Sequence, residues 1–182
     1  DKAFRVNLIS LADGVLRDFS GGHIASADAS VLIAALQQAF GTPELRFYPG
    51  VSYRNLLVLS GPRYSARVRV DKPDDSHGER LAEHLPQAEL PEAEETAALL
   101  RRLMQQAPAV LAEHPVNVRR RREGQPPANG IWIWSGGRGG TFRSLREKYG
   151  ISGAVIAAVD VIRGLGRCLG MEVISVPGAT GY

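Results

Sequence analysis

The sequence predicts an α/β fold, a mixed β-sheet flanked by helices in a three-layer α/β/α arrangement. Three observations lead there. Segments with strand alternation interleave with segments of helical periodicity along the whole chain. The early strands are joined by short turns, which makes them antiparallel neighbours. Hydrophobic residues make up 44% of the 182 positions and charged residues 23%, a balance that supports one sizeable core or two small ones and excludes general disorder.

Phe4 to Leu11 alternates as a strand does, and Ala12-Asp13-Gly14 turns it into a short second strand near Val15 to Arg17. Gly21-Gly22 then breaks the chain. Ser26 is placed to cap a helix from Ala27 to Phe40, on which Val31, Leu32, Ala35, Leu36 and Phe40 share a face and which Gly41 stops. Leu45 to Tyr48 is a short strand ending at Pro49-Gly50. Tyr53 to Leu59 reads as a buried strand that Gly61-Pro62 terminates. Ala66, Val68 and Val70 alternate with Arg67 and Arg69, the pattern of an exposed or edge strand. Asp71 to Pro91 is polar and interrupted by Pro73, Gly78 and Pro86, so a long loop with a helical turn is expected.

Pro91 and Glu92 open the strongest helix, Ala93 to Gln106, whose acidic start and distal Arg101-Arg102 suit the helix dipole. A further turn spans Ala109 to Glu113. Val118 to Asn129 is a basic, proline-containing loop that leads to the aromatic strand Ile131-Trp132-Ile133-Trp134. Ser135 to Gly140 is a glycine-rich turn and Leu145 to Tyr149 a short helix. Gly153 to Leu169 is expected to be a helix, since Val155, Ile156, Val159, Ile162 and Leu165 recur at helical spacing before Gly170. Glu172 to Val176 is a final strand.

The chain opens at Asp1 without Met and closes on Gly178-Ala179-Thr180-Gly181-Tyr182 without a polar tail, the ends expected of an excised piece. No apolar run reaches bilayer length and no signal-peptide pattern precedes the first strand. The single cysteine, Cys168, excludes an internal disulfide and agrees with a reducing, cytoplasmic setting; within an apolar helix it reads as a buried thiol. Only Lys2, Lys72 and Lys148 are lysines, so 19 of the 22 basic residues are arginines. Arginine is the better bidentate ligand for carboxylate and phosphate, so the excess permits an anionic substrate, although an Ala- and Gly-rich composition also accounts for it.

Arg119-Arg120-Arg121-Arg122 is the loudest charge signal. Three readings stay open for it: a solvated or interdomain loop, a small-anion site, or a nucleic-acid surface. Near balance between 19 acidic and 22 basic residues favours the first. Gly136-Gly137-Arg138-Gly139-Gly140 could set backbone N–H groups and a guanidinium around a phosphate, or be a plain turn. It matches neither the dinucleotide fingerprint nor the Walker pattern. His23, His77, His84 and His114 stand at no metal-site spacing, and Asp74-Asp75-Ser76-His77 is the densest cluster of acid–base groups. No Gly-x-Ser-x-Gly elbow of a serine hydrolase occurs.

Several separated stretches stand in one order: Arg5-Val6-Asn7-Leu8, Asp18-Phe19-Ser20-Gly21-Gly22-His23-Ile24, and Tyr48-Pro49-Gly50-Val51-Ser52-Tyr53-Arg54-Asn55. After them come His114-Pro115-Val116-Asn117, Pro127-Ala128-Asn129-Gly130-Ile131-Trp132, the run from Tyr149 to Asp160, and Val176 to Tyr182. In these the chain resembles the archaeal-type cofactor-independent (2,3-bisphosphoglycerate-independent) phosphoglycerate mutases of the alkaline phosphatase superfamily. The resemblance implies a metal-binding phosphatase domain split by an inserted substrate-binding domain, and this chain is similar to the insertion. Residues 1–150 are then the inserted domain, and 151–182 a helix and strand leading back into the absent phosphatase domain.

The implied activity is glycolytic: a metal-dependent isomerase interconverting 2-phosphoglycerate and 3-phosphoglycerate through a phosphoserine. The nucleophilic Ser and the ligands of two Mn or Mg ions are expected outside this chain, which alone is expected to be inactive and to hold no metal. No 2,3-bisphosphoglycerate is required. The expected partners are the small phosphorylated substrate and the missing phosphatase domain, with no membrane, and with nucleic acid disfavoured.

Guanidinium forks suit the substrate's anionic groups, and carboxylate or imidazole suits proton movement at its hydroxyls. The resemblance points to Arg5, Arg54 and Arg138 as anion ligands, with Asn7 and Asn129 as hydrogen-bonding partners. Asp18 and Asp75, backed by His23 and His77, are the proton-transfer candidates. Structural alternatives stand beside them: Asp18 capping a turn, and Arg54 paired with a structural carboxylate. The chain departs from the family where Asn55 replaces a His, where Lys72-Pro73-Asp74-Asp75 replaces Pro-Pro-His-Asp, and where Trp134-Ser135-Gly136-Gly137-Arg138 replaces Trp-Gly-Gln-Gly-Arg. Those departures keep open a divergent phosphomutase or phosphotransferase acting on another phosphorylated metabolite. A non-catalytic nucleic-acid or regulatory module using Arg119 to Arg122 is the alternative of a different class.

Overall fold

In the computed structural model residues 1–178 are described, so Ala179-Thr180-Gly181-Tyr182, the end of the last motif, lie outside the described residues. The chain forms two units, Asp1–Gly139 and Gly140–Tyr182. In the first, β1 (Lys2–Ala12) is the central strand. It pairs antiparallel with β4 (Arg54–Leu59) over Lys2 to Asn7, with β7 (Gly130–Arg138) over Lys2 to Ile9, and with β2 (Val15–Asp18) from Ser10 onward. Outside β4 lies β3 (Leu45–Val51).

Strand alternation gives this sheet two unlike faces. On one, Phe4, Val6 and Leu8 stand beside Leu57, Ile133 and Ile131 of the neighbouring strands. They share a core with Leu32, Ile33 and Leu36 of α1 (Ser26–Phe40) and with Leu100, Leu103 and Met104 of α2 (Glu94–Leu111). Ala25 rather than Ser26 is the N-cap of α1, and no side-chain bond caps it. Fully burying one leucine stabilises by about 1.5–3 kcal/mol, against ~1 kcal/mol for a cap, so packing holds α1 in place. Likewise α2 continues past the expected end at Gln106 and through Pro108, because Ala107 and Leu111 are buried beyond it.

The expected basic loop after Val118 is in part a helix, α3 (Pro115–Arg122). Pro115 pre-sets its first turn, and four arginines in the last turn complement its carbonyl end. Three short 3-10 turns, Pro73–Asp75, Leu81–His84 and Pro91–Ala93, punctuate the long loop, where β6 (Gln87–Ala88) pairs with β5 (Val68–Arg69). The glycine-rich segment expected to be a turn prolongs β7 as far as Arg138.

The second unit holds α4 (Leu145–Tyr149), β8 (Ala154–Val155), α5 (Asp160–Cys168) and β9 (Glu172–Val173), with β8 and β9 parallel. A helix was expected from Gly153; it starts only at Asp160, because Ala154 and Val155 join a ladder whose partner strand comes later in the chain. Cys168 is exposed, not buried as its apolar neighbours suggested. The molecule is thus an α/β protein, antiparallel in the five-stranded sheet and in β5–β6, and parallel in β8–β9. Among the described residues no helix is long and apolar enough to cross a membrane.

Candidate functional site: an arginine-bearing sheet face

Arg5 and Asn7 leave β1 on the face opposite Phe4 and Val6. The register sets Arg5 between Leu56 and Trp134, and Asn7 between Arg54 and Trp132; Tyr48 and Val51 of β3 extend the two rows. At β7 the face is covered by the long loop. There Trp132 Nε1 donates to the Asp71 carbonyl at 2.9 Å, and the His84 ring lies 5.5 Å from the Trp132 ring. Toward β3 it is open, with Tyr48, Val51 and Leu56 exposed.

A chain of contacts joins the polar groups on this face. Buried Asn7 donates through Nδ2 to the Phe19 carbonyl at 3.1 Å, and its Oδ1 accepts from Trp134 Nε1 at 3.1 Å. The Arg5 guanidinium lies 4.2 Å over the Trp134 ring. Phe19 and His23 both meet Tyr53 edge-on, at 6.0 and 6.4 Å, and the Arg54 guanidinium stands 5.4 Å from the same ring. Trp134, Asn7, Phe19 and Tyr53 therefore form one scaffold carrying two guanidiniums and an imidazole. Planar contact with an aromatic ring orients a guanidinium while preserving its charge. Two oriented guanidiniums beside an imidazole suit a small anion whose hydroxyl must gain or lose a proton.

The Asp18–His23 turn is built tightly. Asp18 Oδ1 accepts from the Ser20 N–H at 2.6 Å and the Ser20 hydroxyl at 2.5 Å, and Oδ2 accepts from the Gly22 N–H at 3.2 Å. Gly21, Gly22 and His23 follow one another in the left-handed region, at φ 57°, 67° and 48°. For a non-glycine residue such as His23 that conformation costs roughly 1–2 kcal/mol, which the surrounding contacts must offset. Ser52, also left-handed at φ 57°, donates its hydroxyl to the Ile24 carbonyl at 2.6 Å and its N–H to Ser26 Oγ at 3.0 Å. The hairpin bearing Tyr53 and Arg54 is thus tied to the turn bearing His23.

Of the residues singled out in the sequence, Arg5, Asn7, Asp18, His23 and Arg54 come together here. Asn129 bonds the Leu11 backbone through both ends of its amide. Arg138 is exposed at the far end of β7, opposite Lys2. Asp75 and His77 are exposed on the long loop, where Asp75 lines an open groove with Lys72, Glu79 and His84. The imidazole of His84 bridges Asp71, at 2.8 Å, and Glu79, at 2.6 Å. Asn55, where the family has His, is buried; it accepts from the Gly50 N–H and donates to the Tyr53 carbonyl, each at 3.0 Å.

Three of the four clustered arginines have partners within the chain. Arg119 bonds Asp28 at 2.5 Å, and that hydrogen bond together with the Asp28 charge raises its pKa. Arg121 donates to the Ala112 carbonyl at 2.6 Å and pairs with Glu113 at 3.0 Å. Arg120 is buried among backbone carbonyls. Arg119, Arg121 and Arg122 are exposed, the first two in ion pairs. Sequence reasoning gave no role to Tyr53, Phe19 and Trp134, and read Arg120 only as one member of the basic run. Arg120 carried a signal, since it falls four residues after Val116 and three after Asn117, on the one buried side of α3.

The fold has solved counterparts. A cofactor-independent phosphoglycerate mutase from Thermoplasma acidophilum superposes with a TM-score of 0.67 at 30% identity, over 100% of this chain and 49% of that one. A protein from Pyrococcus horikoshii shares the fold at a TM-score of 0.64 and 23% identity. The sequence profile described as 2,3-bisphosphoglycerate-independent phosphoglycerate mutase matches residues 1–117. The mutases of that name from Methanosarcina acetivorans (43% identical) and Methanothermobacter thermautotrophicus (48%) align over 182 residues, all of this chain and 44% and 43% of theirs. This chain belongs to the 2,3-bisphosphoglycerate-independent phosphoglycerate mutase family. It spans less than half the length of those relatives.

Proposed function

We propose that this chain is the substrate-binding part of a phosphoglycerate mutase that interconverts 2-phosphoglycerate and 3-phosphoglycerate through a phosphoserine intermediate, without 2,3-bisphosphoglycerate. The observation that carries the reading is the joined scaffold that presents Arg5, Arg54 and His23 on one open sheet face. Arg5 and Arg54 hold the carboxylate and phosphate of the glycerate. Asn7 holds the Trp134 ring that carries Arg5 and ties it to the Phe19 backbone, and Asn129 secures the strand pair beside them. His23 is the proton carrier in contact with Tyr53, and Asp18, already accepting three hydrogen bonds, shapes its turn. Asp75 and His77 stay on the long loop and Arg138 at the end of β7, outside this scaffold.

The proposed organisation is residues 1–150 as the inserted domain and 151–182 as the return into a phosphatase domain; the division of the chain after Gly139 supports two parts. Among the described residues no three His, Cys, Asp or Glu gather into a cation site. On this reading the two Mn or Mg ions, which would activate the serine and neutralise phosphoryl oxygens, belong to the portion of the relatives that this chain does not span. The reading carries a cytoplasmic location with it.

The test is phosphorus NMR of 3-phosphoglycerate with the full-length protein and Mn²⁺ or Mg²⁺. Conversion to the 2-isomer is expected without added 2,3-bisphosphoglycerate, and Arg54→Ala should lower kcat/KM roughly a hundredfold, the loss typical of one charged partner. Parental activity in that variant removes Arg54 from the site. A second reading, another phosphorylated metabolite, rests on Asn55, whose amide braces the hairpin where the family has an imidazole. Turnover of a different phosphate monoester, with phosphoglycerate inert, would establish it.

A further inference from the structure

Arg120 reaches the candidate site from α3, about a hundred residues away along the chain. Its side chain is 3% exposed. Its Nη2 donates to the Gly21 carbonyl at 2.8 Å and the Gly22 carbonyl at 3.4 Å, and Nε donates to the Pro126 carbonyl at 3.0 Å. A Cβ at Gly22 would stand 3.0 Å from Nη2 and 3.1 Å from the Pro126 ring, so the guanidinium packs closely on a position whose φ of 67° also favours glycine. Burial draws its pKa below the usual arginine value, against the pull of Asp28, Glu123 and Asp18; arginine stays a cation regardless.

The Asp18–His23 turn is therefore gripped from both sides. The Asp18 carboxylate takes its N–H groups, and the Arg120 guanidinium takes its carbonyls. Three successive left-handed residues would relax without such a grip, and the last of them is His23. We propose that Arg120 is a positioning residue of the candidate site, its buried guanidinium fixing the turn that carries Asp18 and His23. The inference rests on the proposed role of that turn in the mutase. It gives the arginine run, which suggested an anion or nucleic-acid surface, an inward task.

Arg120→Lys tests it, because the charge remains while the planar fork that serves three carbonyls is lost. In the full-length protein kcat should fall about tenfold with KM for 3-phosphoglycerate within about twofold, the mark of misplaced chemistry. Arg120→Met should fall further, and Arg122→Ala should match the parent. In amide NMR spectra of the 182-residue chain, Arg120→Lys should shift Gly21, Gly22 and His23 and leave Leu32 and Leu100 in place. Asp18→Asn and His23→Ala are measured beside it. If those two leave turnover at the parental level, the role of the turn is wrong, whatever Arg120 does. If they lower turnover while Arg120→Lys changes neither kcat nor the turn amides, the positioning role is overturned. Loss of the core amides in Arg120→Lys also overturns it, since Arg120 would then hold the fold and not the turn.

Discussion

A carboxamide carries the donor and acceptor of a peptide group, and Asn129 uses both against Leu11. The Leu11 N–H donates to Oδ1 at 2.8 Å, and Nδ2 donates to the Leu11 carbonyl at 3.0 Å. The side chain so extends the β1–β7 ladder beyond its last backbone pair, Ile9 with Gly130. Asn129→Ala strands both groups in a part-buried place, and the expected loss of stability is about 1–3 kcal/mol. A urea titration reads it as a lower midpoint at unchanged slope; an unmoved midpoint would mean that water serves Leu11 equally well. The same limit governs Asn7 and Asp18. Each was legible as a polar residue in a marked stretch, yet whether it faces a ligand or its own backbone depends on chain that folds back from elsewhere. Arg5 and Arg54 were legible as a pair worth attention; Tyr53 adjoins Arg54 in the chain, but Trp134, the ring that carries Arg5, became visible only through the strand register.

Elements whose signals are local were read well, and elements that depend on a distant partner were not. The strands around β1 and the helix α4 came out near their observed bounds, since alternation, turns and caps lie within a few residues. The helix α3 was missed because its four arginines hide a buried side made of Val116, Asn117 and Arg120. The strand β8 was taken for helix because the apolar run after Gly153 fits both periods, and only its pairing with β9 decides. In α4 the capping box gives an element-scale prediction. The Ser144 N–H and hydroxyl both bond Glu147, and the backbone bond foremost holds its carboxyl below the ordinary value of 4.5. A carboxyl depressed in the folded state contributes stability above its unfolded pKa and loses it as pH falls through the folded one. The first turn of α4 should therefore be intact at neutral pH and loosen progressively below 4.5. Amide exchange at Ser144 and Glu147, followed from about pH 6 down to about pH 2, reads it, and Glu147→Gln should flatten the profile. Equal steepness in that variant would assign the loosening to another group.

At the scale of the molecule, every residue of the buried hydrophobic core lies between Phe4 and Trp134, within the first unit. In the second unit only Gly166 is buried among the described residues, while Ile156, Val159, Val161, Ile162 and Leu165 are exposed. Parallel strands normally occur with both faces covered, and β8–β9 lacks that cover within its own unit. On the proposed reading, the portion of the relatives beyond this chain supplies it. A length near the roughly 40-residue floor for unassisted folding gives the second unit no core with which to stand alone. Ending the chain after Gly139 should therefore leave one cooperative thermal transition, with its midpoint within about 4 °C of the parent, equivalent to less than ~1 kcal/mol. Gly140–Tyr182 by itself should show no cooperative transition. Collapse of the first unit on that truncation would mean that its sheet draws stability from outside its own core. The arginine-bearing face would then have to be studied only in the longer protein. If the truncated unit holds, Arg5, Asn7, Arg54 and His23 keep their scaffold within it, and the proposed binding of 3-phosphoglycerate to that face can be tested on the first unit alone.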